Sequence, residues 1–430
     1  MPVSNDLARR IAERLLAGRT PEEAAKALRP RLPDEFPLPP RLPASNECTA
    51  GAVAQRRAVL AAQGIATARL AAADGIVDPA TLGRNIENLV GFAQVPIGVI
   101  GPLRIRGTNA LGDFYVPMAT TEGSLVASYG RGAYLISHAG GAAVLCLAES
   151  VMRAPCMVFG DMIEAAQFLA WAVPQFDTWQ EIVARTSRHC RIVDLQTTII
   201  GREVYLGFEF ETGDAAGQNM VTFATDAICH DLLERAPVRP RIWFLEGNMS
   251  GDKKATLLAF ARARGKKIVA DVTIPRSLLR HVLHTEPEDV ARYWQASIMG
   301  GVQSGSIGVQ GHFANALAAI FIACGQDAAC VSEASVGMTR IDVTEKGDLY
   351  ASVSLPNLIV GSVGGGTHLP VAQECLAMLG CTGEGGSRRL AEICAATALA
   401  GEISIGGSMA AGDFAKAHAA HGRDPARRRP

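Results

Sequence analysis

The chain is predicted to be an α+β protein with a helical N-terminal region, a large α/β domain and an inserted small ferredoxin-like αβ domain. Three observations carry this reading. Its 430 residues exceed the size at which one hydrophobic core ordinarily stops growing. Helical periodicity dominates up to Ala73, whereas strand and helix patterns alternate from Val95 onward. Within that alternating part, Cys190–Ile200 and Glu203–Glu211 both alternate with period two and are joined only by Gly201-Arg202, which is a hairpin signature.

In chain order, residues 4–29 read as helix. Leu7, Ile11, Leu15 and Leu16 fall on one face, and Thr20-Pro-Glu-Glu opens a second helix with a capping pattern. Prolines from Pro30 to Pro43 break it, and Ala50–Ala73 is helical again, so residues 1–86 form the N-terminal region. From Glu87 the texture changes to the apolar, Gly/Pro-punctuated run Val95–Leu103, the strand Phe114–Met118 and a helix opened by small residues at Thr120–Ser128. Residues 154–246 form the small domain: helices Ala165–Val173 and Thr178–Ala184, the hairpin, helix Asn219–Arg235 and strand Arg241–Leu245, read as buried. That order is the split βαβ pattern.

The large domain takes residues 87–153 and 247–430. After Lys254 it continues with a helix, strand Lys267–Val272 and helices Pro275–His284, Pro287–Met299 and Asn315–Cys324. Strands Thr339–Val343 and Leu349–Leu355 follow, then a helix from Pro370 and a last helix Leu390–Ala400.

Composition excludes several classes. A formal net charge of -1 gives no bulk attraction to nucleic acid or membrane surfaces. Ten cysteines without a CxxC pair indicate reduced thiols rather than a disulfide framework or zinc site. The N-terminus lacks the pattern of a secretory signal, and no apolar run approaches the roughly 18 residues of a membrane span. The expectation is a cytoplasmic protein with no metal, nucleic-acid or membrane partner.

The chemistry concentrates in four places. Glu122 stands among small residues in Pro117-Met-Ala-Thr-Thr-Glu-Gly. Gly213-Asp214-Ala-Ala-Gly217-Gln-Asn219 is a turn entering a helix. Glu246-Gly-Asn-Met-Ser-Gly-Asp-Lys253-Lys254 brings two lysines to a domain junction, and Asp327 and His418 add a second carboxylate and an imidazole. Singly, each reads as a helix-start acid, a turn, solvated lysines or a tail histidine. Together they are the groups a carbonyl reduction needs: a cation for the developing oxyanion and acids for the alkoxide and the leaving group.

These motifs resemble those of the 3-hydroxy-3-methylglutaryl-coenzyme A reductase family, in its eukaryotic and archaeal form. The resemblance runs from Glu87-Asn-Leu-Val-Gly through Thr212-Gly-Asp-Ala-Ala-Gly-Gln-Asn-Met and Ile322-Ala-Cys-Gly-Gln-Asp-Ala-Ala to Gly361-Ser-Val-Gly-Gly-Gly-Thr and ends near His421. It implies reduction of the thioester by two NADPH to mevalonate and free coenzyme A, in a homodimer or dimer of dimers whose active site lies between subunits. By the same resemblance Lys253 stabilises the oxyanion, and Asp327 hydrogen-bonds both Lys253 and Glu122. Glu122 donates a proton as a buried carboxyl beside another acid, and His418 protonates the departing thiolate. Arg153 and Lys254 would hold the substrate's free carboxylate, with Asn315 as a substrate-side amide and Asn88, Arg131 and His312 near coenzyme A or the catalytic centre. Asp214, Gly217 and Asn219 would form the dinucleotide turn of a small NADP(H)-binding domain, with Ser187 and Arg188 meeting the 2′-phosphate.

Two positions depart from the family pattern. Glu246 stands where a serine is usual, and Ala296 where a lysine is usual. An acid gained and a cation lost weaken a pocket for an anionic end. Glu246 is therefore expected to pair with Lys254 or Arg153, or the substrate to be a different 3-hydroxyacyl-CoA. A catalytically silent acyl-CoA-binding relative is the reading from another class, and the intact Glu122, Lys253, Asp327 and His418 argue against it.

Overall fold

The computed structural model describes residues 5–16, 18–43, 50–67, 85 and 93–413. Helix α1 (Asn5–Leu16) is followed by α2 (Pro21–Ala27), entered through a complete capping box. Thr20 Oγ1 accepts from the Glu23 amide at 3.2 Å, and the Glu23 carboxylate accepts from the Thr20 amide at 2.9 Å. Helix α3 (Ala50–Ala62) is shorter than expected and ends in a turn at Gln63-Gly64.

From there the elements run β1 (Ile97–Gly107), β2 (Leu111–Ala119), α4 (Leu125–His138), β3 (Ala142–Arg153), β4 (Cys156–Val158), α5 (Met162–Ala172) and α6 (Phe176–Thr186). Next come β5 (Arg191–Ile200), β6 (Glu203–Glu211), α7 (Gln218–Arg235), β7 (Ile242–Phe244), α8 (Leu258–Ala261) and β8 (Gly265–Ile274). The chain closes with α9 (Arg276–Leu283), α10 (Pro287–Gln303), α11 (Phe313–Ala323), α12 (Val331–Ala334), β9 (Met338–Val343), β10 (Leu349–Leu358), α13 (Pro370–Met378) and α14 (Gly386–Ala410).

The strands form one ten-stranded sheet in the order β7-β4-β6-β3-β8-β10-β9, with β5 also on β6 and the β1–β2 pair attached to β3. The segment β7-β4-β6-β5 is antiparallel throughout and has the strand order of a split βαβ unit. Strand β3 joins the two halves. Its first part, Ala143–Ser150, pairs with β8, and its last three residues, Val151–Arg153, pair with Phe208–Phe210 of β6. Arg153 thus sits on a strand shared by both halves rather than in a linker.

Three local expectations are corrected. Strand β7 is not buried: it is three residues long at the sheet edge, and Ile242 and Phe244 are each 54% exposed. The helix expected directly after Lys254 reduces to the four residues of α8. The last helix does not stop at Ala400 but runs 25 residues to Ala410, through Gly401, Gly406 and Gly407. Helical propensity argues against those glycines, but burial overrides it. Leu390, Ile393, Leu399 and Ile403 are fully buried, each worth about 1.5–3 kcal/mol. At the α4–α14 crossing, a Cβ on Gly132 would collide with the Ala400 carbonyl oxygen, so glycine there permits close backbone contact. Helix α14 is also long and apolar enough to cross a membrane by length and composition, yet 83% of that window is buried in the core.

Candidate active site

The loop between β7 and α8 is anchored from below by a ladder of alternating charges. The Gly247 amide donates to the Ala154 carbonyl at 2.6 Å, which fixes the loop's entry beside the end of β3. Arg153 Nη1 lies 3.2 Å from Glu246 Oε2 and 3.2 Å from Asp252 Oδ2. The other Asp252 oxygen pairs with Arg264, whose Nε reaches Glu333 Oε1 at 3.3 Å and whose Nη1 donates to the Met152 carbonyl at 3.1 Å. Arg153, Arg264 and Glu333 are buried, Glu333 to within 1%. Burial pushes the Glu333 carboxyl up, opposed by Arg264 and by the Lys253 backbone amide, so this acid also supports the loop from beneath.

Lys253 rises from this base in the left-handed region, with φ 55°. Its Nζ lies 3.0 Å from Asp327 Oδ2, with the two side chains 45% and 42% exposed. The hydrogen bond from Lys253 to Asp327 raises the ammonium's pKa, so it stays charged. Burial pushes the Asp327 carboxyl up, but the Lys253 hydrogen bond and the Ala329 amide outweigh it and hold it below its usual value. Asp327 is in place because it caps a short 3₁₀ turn beyond α11, with its Oδ1 accepting from the Ala329 amide at 3.0 Å. The arrangement offers a fixed cation at the protein surface, suited to an oxygen that gains negative charge.

Glu122 differs from expectation. It is exposed, and its carboxylate accepts from Asn315 Nδ2 at 3.2 Å. Asn315 lies in the first turn of α11 and Asp327 beyond its last, so roughly 12 Å of helix axis lies between Asn315 and the α11 end that leads to Asp327. Among the described residues, one chain does not bring Glu122 and Asp327 together, and Glu122 has no neighbouring acid at hydrogen-bond distance. The α11 start is itself held by the fully buried Glu402 of α14. Its carboxylate accepts from the Gly311 amide at 2.7 Å, the His312 amide at 2.8 Å and Thr339 Oγ1 at 2.8 Å. His312 Nδ1 lies 3.1 Å from the same carboxylate, and its ring stacks on Tyr129 at 5.5 Å.

Several other expected residues are engaged inside the protein. Arg153 is committed to Glu246 and Asp252, so the expected pairing of Glu246 with Arg153 is present and the guanidinium does not stand open to an anion. Arg131 donates to Ser404 Oγ at 3.0 Å and Ser408 Oγ at 2.8 Å, and burial pushes its pKa down. Lys254 is exposed, with Nζ donating to the Asp252 carbonyl at 2.7 Å. Ala296, where a lysine was expected, is exposed on α10. Asn88 and His418 lie outside the described residues.

The second cluster lies at one end of the β5–β6 pair, where Arg191 faces Glu211. Ser187 and Arg188 leave α6 just before Arg191, and Arg188 is exposed. The turn after Glu211 leads into α7 through Gly217 at φ 82°, where a Cβ would strike Thr212. Gly217 supplies no side-chain cap to the first amides of α7, and Asn219 beside it is exposed. An open helix N-terminus with an arginine at the same sheet end fits a phosphate-bearing dinucleotide. The Asp214 carboxylate accepts from the Gly385 amide at 2.9 Å and the Ser387 amide at 3.0 Å. It therefore ties the turn to the start of α14.

Sequence reasoning did not single out Gln218, Arg264, Glu333 or Glu402. All four act through contacts distant in the chain, and no local pattern marks them. Among the described residues no cluster of three or more His, Cys, Asp or Glu could hold a metal ion.

Comparison with known proteins points one way. The family described as hydroxymethylglutaryl-coenzyme A reductase matches residues 52–423. The 3-hydroxy-3-methylglutaryl-coenzyme A reductase of Pyrococcus abyssi is 42% identical over 355 residues, covering 81% of this chain and 87% of that protein. Those of Methanothermobacter thermautotrophicus (43% over 342 residues, 79% and 85% covered) and Aeropyrum pernix (44% over 347 residues, 79% and 82%) are similar in extent. Among solved structures, the class II reductase of Streptococcus pneumoniae bound to NADPH shares the fold, with a TM-score of 0.67 at 17% identity, covering 83% of this chain and 96% of that one.

Proposed function

The chain belongs to the hydroxymethylglutaryl-coenzyme A reductase family, and we infer that it reduces 3-hydroxy-3-methylglutaryl-CoA with two NADPH and two protons to mevalonate and free coenzyme A. The observation that carries this reading is the Lys253–Asp327 pair, an ammonium kept protonated and half-exposed on a rigid base. NADPH, when bound, supplies the hydride of each step. The open start of α7 with Gly217 and Asn219, and Ser187 and Arg188 at the same sheet end, would hold its phosphates.

The chain's own residues then divide the work. Lys253 faces the carbonyl oxygen as it becomes an oxyanion, first in the thioester and then in the aldehyde. Asp327 keeps that ammonium charged and aimed. Glu122, steered by Asn315, delivers the proton to the alkoxide, and His418 delivers one to the departing thiolate. Glu122 and the Lys253–Asp327 pair stand at opposite ends of α11 and are exposed in a single chain. This supports a homodimer or dimer of dimers in which Glu122 of one chain completes the site of another. We place the enzyme in the cytoplasm.

The Glu246–Arg153 pair favours a second reading, in which the distal group of the acyl chain is not a carboxylate. Purified protein assayed by NADPH oxidation decides between them. Turnover of the glutaryl thioester is expected, whereas no turnover of it, with clear turnover of an uncharged 3-hydroxyacyl analogue, would overturn the first reading.

A further inference from the structure

We propose that Gln218, the first residue of α7, is a positioning residue for the catalytic pair: its carboxamide donates to Asp327 and keeps that carboxylate aligned on Lys253. The inference rests on the reductase reading given above. Gln218 Nε2 lies 3.4 Å from Asp327 Oδ2, the oxygen that also receives Lys253 Nζ, and 2.8 Å from Cys330 Sγ. Its two N–H bonds can therefore serve the carboxylate and the sulfur together. The Gln218 carbonyl accepts from Thr222 Oγ1 at 2.8 Å and from Arg153 Nη2 at 3.4 Å. One residue thus touches the catalytic carboxylate with its side chain and the ladder's arginine with its backbone. It also stands between Gly217 and Asn219, at the start of the helix assigned to the dinucleotide.

The charged and titratable groups around Asp327 leave Gln218 a distinct role. Lys253 and Asp252 approach from the loop, and Cys330 and Glu333 from the turn and α12 behind it. Arg153 and Arg264 lie in the ladder, bound to Asp252, Glu246 and Glu333. Burial pushes the Cys330 thiol up, so it stays protonated. Gln218 adds a neutral donor to the oxygen that receives Lys253, beside the Cys330 thiol that also hydrogen-bonds the Asp327 carboxylate, and it does so from the half of the sheet that carries the cofactor turn. Small shifts of α7 would therefore be felt at the catalytic pair.

The test compares wild type, Q218L and Q218E in steady-state kinetics across pH 5–9, with melting midpoints recorded. Q218L removes one hydrogen bond to a charged group, so kcat should fall about tenfold with both KM values within about threefold. Q218E is the same size and places a second carboxylate beside Asp327, so a new acid limb should enter the kcat profile at about pH 5–6. Carboxyl ¹³C resonances of the ligand-free protein supply a readout without turnover. Q218E should show a carboxyl titrating at about pH 5–6 that disappears when Asp327→Asn is added. Raised KM at unchanged kcat in Q218L overturns the proposal, as does a Q218E pH profile that superimposes on wild type with no new titrating carboxyl. If wild type does not turn over, the reductase reading fails instead, and the carboxyl titration still decides the role of Gln218.

Discussion

Replacing Arg264 by methionine tests whether the buried ladder fixes the lysine loop. Arg264 is 4% exposed and serves three acceptors: Glu333, Asp252 and the Met152 carbonyl. Methionine fills similar space but leaves Glu333, 1% exposed, without its cation. Removing one partner of a buried pair costs about 3–5 kcal/mol. For a chain of this size that corresponds to a fall of about 3–6 °C in Tm. The pH dependence follows from Glu333, whose carboxyl burial already raises. A raised acid contributes its stability fully below its unfolded pKa and loses it as pH rises through the folded pKa. Without Arg264 the folded pKa rises further, so the deficit should be small near pH 5 and largest near pH 8. Differential scanning fluorimetry at both pH values measures it, and adding Glu333→Met should recover most of the loss. A Tm change below about 2 °C at pH 8, or no recovery in the double variant, would refute the reasoning.

Other outcomes follow from the same geometry. Lys253→Ala should lower kcat by about 10²–10³ with an unchanged circular dichroism spectrum, because the side chain is half-exposed. Asp327→Asn should separate activity from stability. Its carboxyl is held low, so the pair contributes stability above the unfolded aspartate pKa and loses it as pH falls through the folded one. At this exposure that contribution is under about 1 kcal/mol, so Tm at pH 7 should shift by less than about 2 °C while kcat collapses. Glu246→Ser with Ala296→Lys should lower KM for a carboxylated acyl-CoA several-fold, and an unchanged KM would count against the pocket assignment. Gly132→Ala should reduce the yield of folded protein and its urea midpoint, since the new Cβ meets the Ala400 carbonyl.

Much of the fold was legible because period and punctuation agreed with burial. The β5–β6 hairpin formed at Gly201-Arg202, with Ile200 opposite Glu203, as its alternation required. The cap at Thr20 formed because the two side chains that make it are three residues apart. Legibility failed where tertiary contacts overrode local signals. Glycines in α14 looked like a helix stop but are crossing points against α4 and α9. Trp243 and its neighbours read as a buried strand, yet an edge position left two of the three residues half-exposed. In the candidate site, the contact between Lys253 and Asp327 was legible through the resemblance. The occupation of Arg153 and Asp214 by internal partners was not, because hydrogen bonds between residues 93 to 173 positions apart leave no local trace.

The ladder also explains how a half-exposed lysine can be held accurately. A non-glycine residue in the left-handed region costs roughly 1–2 kcal/mol, and this loop places both Asn248 and Lys253 there. Asp252 receives two arginines, and each charge-assisted hydrogen bond contributes about 1.5–3 kcal/mol, enough to offset the strain. Lys253 therefore needs no partners of its own beyond Asp327, and its solvent-facing side stays free to meet an oxyanion. The same logic gives Glu246 its meaning. The ladder has three acids and two arginines, so each arginine lies between two carboxylates. A serine at position 246 would leave Arg153 with one carboxylate, Asp252. In this chain Glu246 and Asp252 share Arg153, so the residue that departs from the family pattern is also one of the loop's anchors.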